Sequence, residues 1–172
     1  MRRARERESV FDEMIRRNEA DLLAYFQRRT LDGADAADAF GELLLVAWKR
    51  SAKIPTDPEA ARMWMFVAAR NVLQNSRRSA QRSRRAVQRL AEAMMTTTPA
   101  GDADDDALTV RAAIDALPAE DAELVRLIYW DGFASHEAAA ILGVNASTAR
   151  SRLAKAKERL RVALSPELTT QD

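Results

Sequence analysis

Arginine and lysine are spread so unevenly along this chain that two segments stand out as candidates for polyanion chemistry. Between Arg62 and Leu90 there are eight Arg and no Asp or Glu, and between Ser147 and Arg161 there are six Lys or Arg against Glu158 alone. A cation held near a phosphate releases condensed counterions, which strengthens binding to a nucleic acid without reading its sequence. The segment from Ala100 to Glu123 has the opposite character, with eight acids and only Arg111. The net charge of +1 is therefore an average over segments of opposite sign, and position matters more than the total.

Other chemistries are poorly supported. With no Cys and one His, the chain cannot build a disulfide, a thiolate metal centre or a multi-histidine site. His136 reads as an exposed residue at a helix start, and no nucleophile is paired with a base, so an enzyme is not expected and no cofactor is called for. No apolar run approaches the roughly 20 residues that cross a bilayer. The start, Met1-Arg2-Arg3-Ala4-Arg5-Glu6, leads into no signal-like hydrophobic stretch. A cytoplasmic protein without membrane insertion is the expectation.

The elements that must carry the basic segments are helices throughout. Apolar residues recur at three-to-four spacing along most of the chain, no period-two strand is evident, and the expected class is all-α. Val10, Phe11, Met14, Ile15, Leu22, Leu23 and Phe26 define a first helix towards Leu31, ended by Asp32-Gly33. A second is expected over Asp35 to Lys49. There Ala39, Leu43, Val46 and Ala47 form one apolar face, and Phe40, Leu44 and Trp48 a second, which implies either two neighbours or one neighbour and a partner. Pro55 and Pro58 make Ser51 to Glu59 a loop. A third helix starts near Glu59 with Met63, Trp64, Phe66, Val67, Val72 and Leu73, then turns arginine-rich. Met94 to Asp106 has little to bury and reads as a tether. Beyond it, Leu108, Ile114, Leu117, Leu124, Val125, Ile128, Tyr129, Ala139, Leu142, Val144, Leu153, Leu160 and Leu164 suggest four short helices, with turns at Asp131-Gly132 and Gly143.

Within that second half, Ala139, then Gly143 four residues later, then a helix opening after Asn145, has the spacing of a helix-turn-helix. A small Ala lets two helices cross closely, Gly accepts a left-handed turn, and Asn145 can accept a hydrogen bond from the first helical turn. In the second helix Ala149, Leu153, Ala156 and Leu160 share a face, leaving Ser147, Thr148, Arg150, Ser151, Arg152 and Lys155 mostly outside it. Such a helix can enter a major groove, where Arg reads guanine. A plain amphipathic helix with a solvated basic face would share the periodicity but not the turn.

These residues carry a resemblance. The run Ala116-Leu117-Pro118-Ala119-Glu120, then Tyr129-Trp130-Asp131-Gly132-Phe133, Ile141-Leu142-Gly143-Val144, Thr148-Ala149-Arg150-Ser151-Arg152-Leu153 and Glu158-Arg159-Leu160-Arg161 resembles the C-terminal domain of extracytoplasmic-function (ECF) bacterial sigma factors. Asp38, Glu42, Ala47 and Trp48, followed by Arg62, Trp64, Ala69, Arg70 and Asn71, match the family's other conserved region. The resemblance covers about residues 18–85 and 115–164. It implies a sigma region 2-like helical domain at 1–92, an acidic linker at 93–107, a region 4-like helix-turn-helix domain at 108–166, and a tail at 167–172.

In functional terms the resemblance implies a subunit that binds core RNA polymerase and directs promoter-specific initiation. Ser147, Thr148, Arg150, Ser151, Arg152 and Lys155 would bind the minus-thirty-five element. Arg62, Trp64, Arg70, Asn71, Arg77 and Arg78, with Arg82, Arg84 and Arg85, would hold DNA near the minus-ten element, and the loop from Lys53 to Ala61 is the candidate pocket for an unstacked base. Trp64 alone is better explained as a core residue sharing its spacing with Val67. Asp38, Glu42, Leu45 and Trp48 would meet the polymerase, and an anti-sigma factor is an implied partner. Gly41, Ala138 and Ala149 depart from the family's usual Gln and larger apolar residues, with weaker polymerase contact or looser packing expected. Two other readings fit parts of the pattern: a helix-turn-helix regulator, and a polymerase-interaction module without initiation activity. The arginine-rich first half argues against both, because it supplies a second nucleic-acid surface.

Overall fold

A computed structural model describes residues 2–30, 32–90 and 105–165, with side chains for 11–30, 32–78 and 109–165. Leu31, the side chains of Val10, Arg82, Arg84, Arg85 and Leu108, the tether apart from its last residues, and the tail lie outside these limits. All the described regular structure is helical, and the chain divides into two compact units, 1–96 and 97–172.

The first unit is built from α1 (Arg2–Gln27), α2 (Gly33–Lys49) and α3 (Pro58–Leu90), which pack pairwise, with a single 3₁₀ turn at Ser51–Lys53. Local chemistry sets the starts. Asp32 caps α2 by accepting from the Asp35 amide at 2.8 Å. Asp57 does the same for α3, accepting from the Ala60 amide at 2.8 Å, with Pro58 in the first helical position, where its missing N–H costs nothing. The loop expected over Ser51 to Glu59 is thus a 3₁₀ turn followed by a capped helix start.

Packing in this unit centres on Leu22, Tyr25, Phe26, Leu43, Met65 and Phe66, all essentially inaccessible to water. Tyr25 meets Phe26 and Phe66 edge-on, with ring centroids 5.5 and 5.3 Å apart. Such pairs add about 0.5–1.5 kcal/mol each beyond their burial. Small residues on α2 (Ala36, Ala39, Ala47) and α3 (Ala61, Ala68, Ala69) are buried alongside, as close helix approach requires. The core stripe of α3 differs from the expected one. It runs through Ala61, Met65, Phe66, Ala69, Val72 and Leu73, while Trp64 is half-buried and Val67 and Asn71 are exposed. Trp64 is therefore not a core residue: a helix face is fixed by the whole repeat, and Trp64 follows Val67 and Asn71 round the outer side.

The second unit comprises α4 (Asp105–Asp115), α5 (Ala119–Tyr129), α6 (Ser135–Leu142) and α7 (Ala146–Leu164). The helix α4 begins within the acidic stretch read as a tether. Ile114, Leu117, Ala122, Val125 and Ala156 form a buried cluster, with Trp130, Leu153 and Leu160 packed against it. The α6–α7 corner is a complete Schellman turn: Gly143 sits at φ 71°, its amide donates to the Ala140 carbonyl, and the Val144 amide donates to that of Ala139. Asn145 then caps α7, accepting from the Thr148 amide at 2.8 Å. Ala138, Ala139 and Ala149 are all buried at this corner.

Candidate nucleic-acid and polymerase interfaces

The helix α7 has a buried side, an outer side and a flank. Ala149 and Ala156 are buried and Leu153 and Leu160 half-buried, so the outer side carries Ser147, Arg150, Ser151 and Lys155, all exposed. The Ser147 hydroxyl donates to the Asn145 side chain at 2.7 Å, which links the cap to the first polar residue of the helix. Thr148 and Arg152 lie on the flank and are half-buried. The Arg152 guanidinium is ion-paired with Glu120 of α5, and about two turns further along the same flank Arg159 pairs with Asp121 at 3.1 Å. Further along, Glu158 accepts from Arg161 at 2.7 and 3.0 Å, and this charged hydrogen bond holds its carboxyl below the usual carboxylate value.

On α2, the four residues expected to meet a partner share one outward stripe. Asp38 and Glu42 are exposed, Leu45 is 61% exposed and Trp48 53%. The opposite stripe, Ala36, Ala39, Leu43 and Ala47, is buried, while Val46, expected with it, is half-buried. Beside the outward stripe an open groove of about 650 Å³ runs between α1 and α2, lined by Phe11, Ile15, Gly41, Leu44, Leu45 and Trp48. Trp48 stacks edge-on against Phe11 at 5.3 Å, so its apolar body is anchored while its outer edge is wet. Gly41 has open space where a side chain would project, and the groove is wider there than a Gln would leave it.

The candidate DNA residues of α3 are less uniform. Arg62 is half-buried, paired with Asp21 of α1 at 3.2 Å and stacked over Phe66 at 4.9 Å, so its charge is largely committed within the bundle. Arg70 is half-buried, whereas Asn71, Arg77 and Arg78 are exposed. Arg77 donates to the Arg29 carbonyl at 3.0 Å, bridging from α3 to the residues that end α1. The buried Arg29 stacks over Tyr25 at 3.7 Å and donates to its carbonyl. Arg29, Arg77 and Arg78 thus make a basic corner where α3 passes the end of α1, while Arg62 lies about four turns earlier on α3. His136 is exposed in the first turn of α6, as expected.

Sequence reasoning missed the acidic partners. Glu120, Asp121 and Asp21 each hold an arginine that looked free, and no local signal could have found them, because the partners lie 32, 38 and 41 residues away. Among the described residues no three His, Cys, Asp or Glu side chains cluster to hold a metal, and no helix is long and apolar enough to cross a membrane.

A helix-turn-helix unit with an exposed Ser/Arg/Lys face, preceded by a three-helix bundle with a basic corner, defines a DNA-binding protein of two helical units. The sigma-70 region 2 family model matches residues 14–83, and the sigma-70 region 4 model matches residues 107–160. The ECF RNA polymerase sigma factor SigL of Mycobacterium tuberculosis is 33% identical over 151 residues, covering 84% of this chain and 83% of the relative. Among solved structures, the sigma factor RpoE of Bartonella quintana, in complex with the anti-sigma factor NepR, is similar at a TM-score of 0.67. It is 25% identical, with 91% of this chain and 98% of that one covered. CnrH, in complex with the cytosolic domain of CnrY, has the same fold, with a TM-score of 0.64 at 21% identity over 90% of this chain and 86% of that one. The chain belongs to the ECF RNA polymerase sigma factors. This family is not an enzyme class.

Proposed function

We propose that this sigma factor divides its work among three surfaces: the outward stripe of α2 binds core polymerase, the basic part of α3 holds DNA at the minus-ten element, and α7 reads the minus-thirty-five element. The observation that carries this reading is the exposed set Ser147, Arg150, Ser151 and Lys155 at the start of a capped helix behind a tight turn. An Arg projecting from that position can donate two hydrogen bonds to guanine, and Ser and Lys can bond bases or phosphates. Thr148 and Arg152 flank this set. Asp38, Glu42, Leu45 and Trp48 offer a polymerase an apolar centre rimmed by carboxylates, the composition expected of a protein interface.

On α3, Arg70, Arg77 and Arg78 would meet phosphates, and Asn71 and the Lys53–Ala61 loop an unstacked base, with Trp64 on the adjoining outer face; the exposure of Asn71, Arg77 and Arg78 supports this reading. Arg62, paired with Asp21, supports the bundle beneath them. The domain limits 1–92 and 108–166, with an acidic linker at 93–107, go with this division. An anti-sigma protein is a further partner, a reading supported by the anti-sigma complex of the similar RpoE.

In vitro transcription with purified core polymerase and a library of genomic promoters, with and without the protein, tests the whole scheme. Added starts sharing two spaced upstream elements are the expected result. Binding to DNA or polymerase without new starts would favour a helix-turn-helix regulator or a polymerase-interaction module instead.

A further inference from the structure

Arg150 and Arg152 differ in what surrounds them. Two residues apart on a helix means about 200° of rotation about its axis, so their side chains leave α7 on nearly opposite sides. If the side bearing Ser147, Arg150 and Ser151 enters the groove, Arg152 points away from the bases. Arg152 belongs instead to the stripe of Thr148 and Arg159, and both of its cations meet consecutive acids, Glu120 and Asp121, in the first turn of α5. Asp121 is buried, so its carboxylate needs that partner; Glu120 is exposed and is free to be altered without opening the core. Pro118 precedes this turn without a side-chain cap, and the two acids also face the positive end of the α5 dipole. Their positions are therefore held by α5 itself, which makes them a fixed rail for α7.

We propose that Glu120 is a specificity-determining positioning residue for promoter recognition: it holds Arg152 against α5, so that residue 152 sets the angle of α7 while Arg150 and Lys155 meet the DNA. The proposal rests on the promoter-reading role given above to α7. A small roll of α7 about the α5 contact would move Arg150 off its base without changing any residue that touches DNA, and misplacements of this kind are costly wherever recognition is bidentate. Removing the rail therefore lowers affinity for the preferred promoter more than for other sequences.

The test uses the full-length protein in holoenzyme, measured on a promoter found by start mapping and on the same DNA with each minus-thirty-five base pair changed in turn. The two assignments for Arg152 predict opposite signs for Glu120→Gln. If Glu120 anchors Arg152 as proposed, the variant binds the promoter about two- to fivefold more weakly, the range of an exposed ion pair. If Arg152 instead contacts DNA and Glu120 merely competes for it, the variant binds more tightly, and that result overturns the proposal. Arg152→Glu alone places an acid on the rail and loses more than about tenfold, since like charges brought together are strongly unfavourable.

The exchanged pair, E120R with R152E, restores the contact with its charges reversed and is expected to bind within about threefold of the original protein. An acid at a DNA-contacting position could not recover in this way, so an exchanged pair that melts normally but binds as weakly as R152E refutes the positioning role. Should R152E fail to fold, the sign of the Glu120→Gln effect decides alone. Arg150→Ala separates this proposal from the reading beneath it. If that variant leaves affinity unchanged on every sequence, α7 does not read the promoter, and both fall together; if it flattens base preference while the exchange fails, only the Glu120 role is lost.

Discussion

Replacing Gly143 by Ala tests whether the backbone of the helix-turn-helix corner is as strained as its geometry requires. Gly143 lies at φ 71° and ψ 29°, and a Cβ built there meets no atom within 4 Å. The entire penalty is therefore conformational: an L-residue in this region costs about 1–2 kcal/mol, partly offset by the reduced freedom of Ala in the unfolded chain, for a net loss of about 1 kcal/mol. In a domain of this size that lowers the melting temperature by about 4–8 °C. Gly41 supplies the matched comparison. It too has open space at its Cβ position, but it sits inside α2 with ordinary helical backbone, so Gly41→Ala should stabilise by about 0.8–1 kcal/mol. Urea melting followed through amide resonances of residues 119–164 for the first variant, and of 33–73 for the second, reads each unit separately. The same substitution is expected to move the two midpoints in opposite directions. A Gly143→Ala midpoint equal to or above that of the original protein would refute the claim that the corner depends on a left-handed residue.

Phe66→Ala should destabilise the first unit by about 3–5 kcal/mol, because it empties a fully buried site and removes the edge contact with Tyr25; loss of helical signal from that unit on mild heating is the check. Leu45→Asp alters a residue that is mostly in water, so stability should change by less than about 0.5 kcal/mol while polymerase capture on an affinity column falls; normal capture would remove this stripe from the interface. Ala149→Leu forces extra volume into a fully buried position and should cost about 1–3 kcal/mol, measured by urea melting. Glu13 and Glu158 both titrate below the ordinary 4.5, each held down chiefly by a hydrogen bond from an arginine, Arg17 and Arg161 respectively. A lowered folded-state value means that whatever stability these pairs give is complete above the unfolded value and is lost as pH falls through the folded one. Carboxyl-carbon NMR titration should therefore place both midpoints below 4.5, and a midpoint above it would contradict the pairing.

The punctuation of the fold was legible because its signals are local. Asp32, Pro58, Gly143 and Asn145 each act on the backbone within a few residues, and every one of them stands at the helix end or turn where its chemistry is useful. The outward stripe of α2 came from the resemblance, because periodicity alone gave that helix two apolar faces; packing buries Ala39, Leu43 and Ala47 of the one and leaves Trp48 of the other exposed. The face of α3 was not legible. Five consecutive apolar residues, Met63 to Val67, give no phase, and only Ala69, Val72 and Leu73 one turn later decide that Trp64 turns outward. Arg150 and Arg152 looked alike for the same reason, since sequence showed two cations near one helix start but not the acid from α5 that pairs with one of them.

The ion-paired flank of α7 also bears on how promoter preference could be transplanted. A recognition helix is commonly regarded as a cartridge, exchangeable between related proteins if its buried face is kept. Here Arg152 and Arg159 are fitted to Glu120 and Asp121, so a borrowed helix with other residues at those two positions would sit on a surface made for its predecessor. The smallest portable unit is then discontinuous, α7 together with the opening turn of α5, and chimaeras that move both should keep the donor's preference where those that move α7 alone blur it.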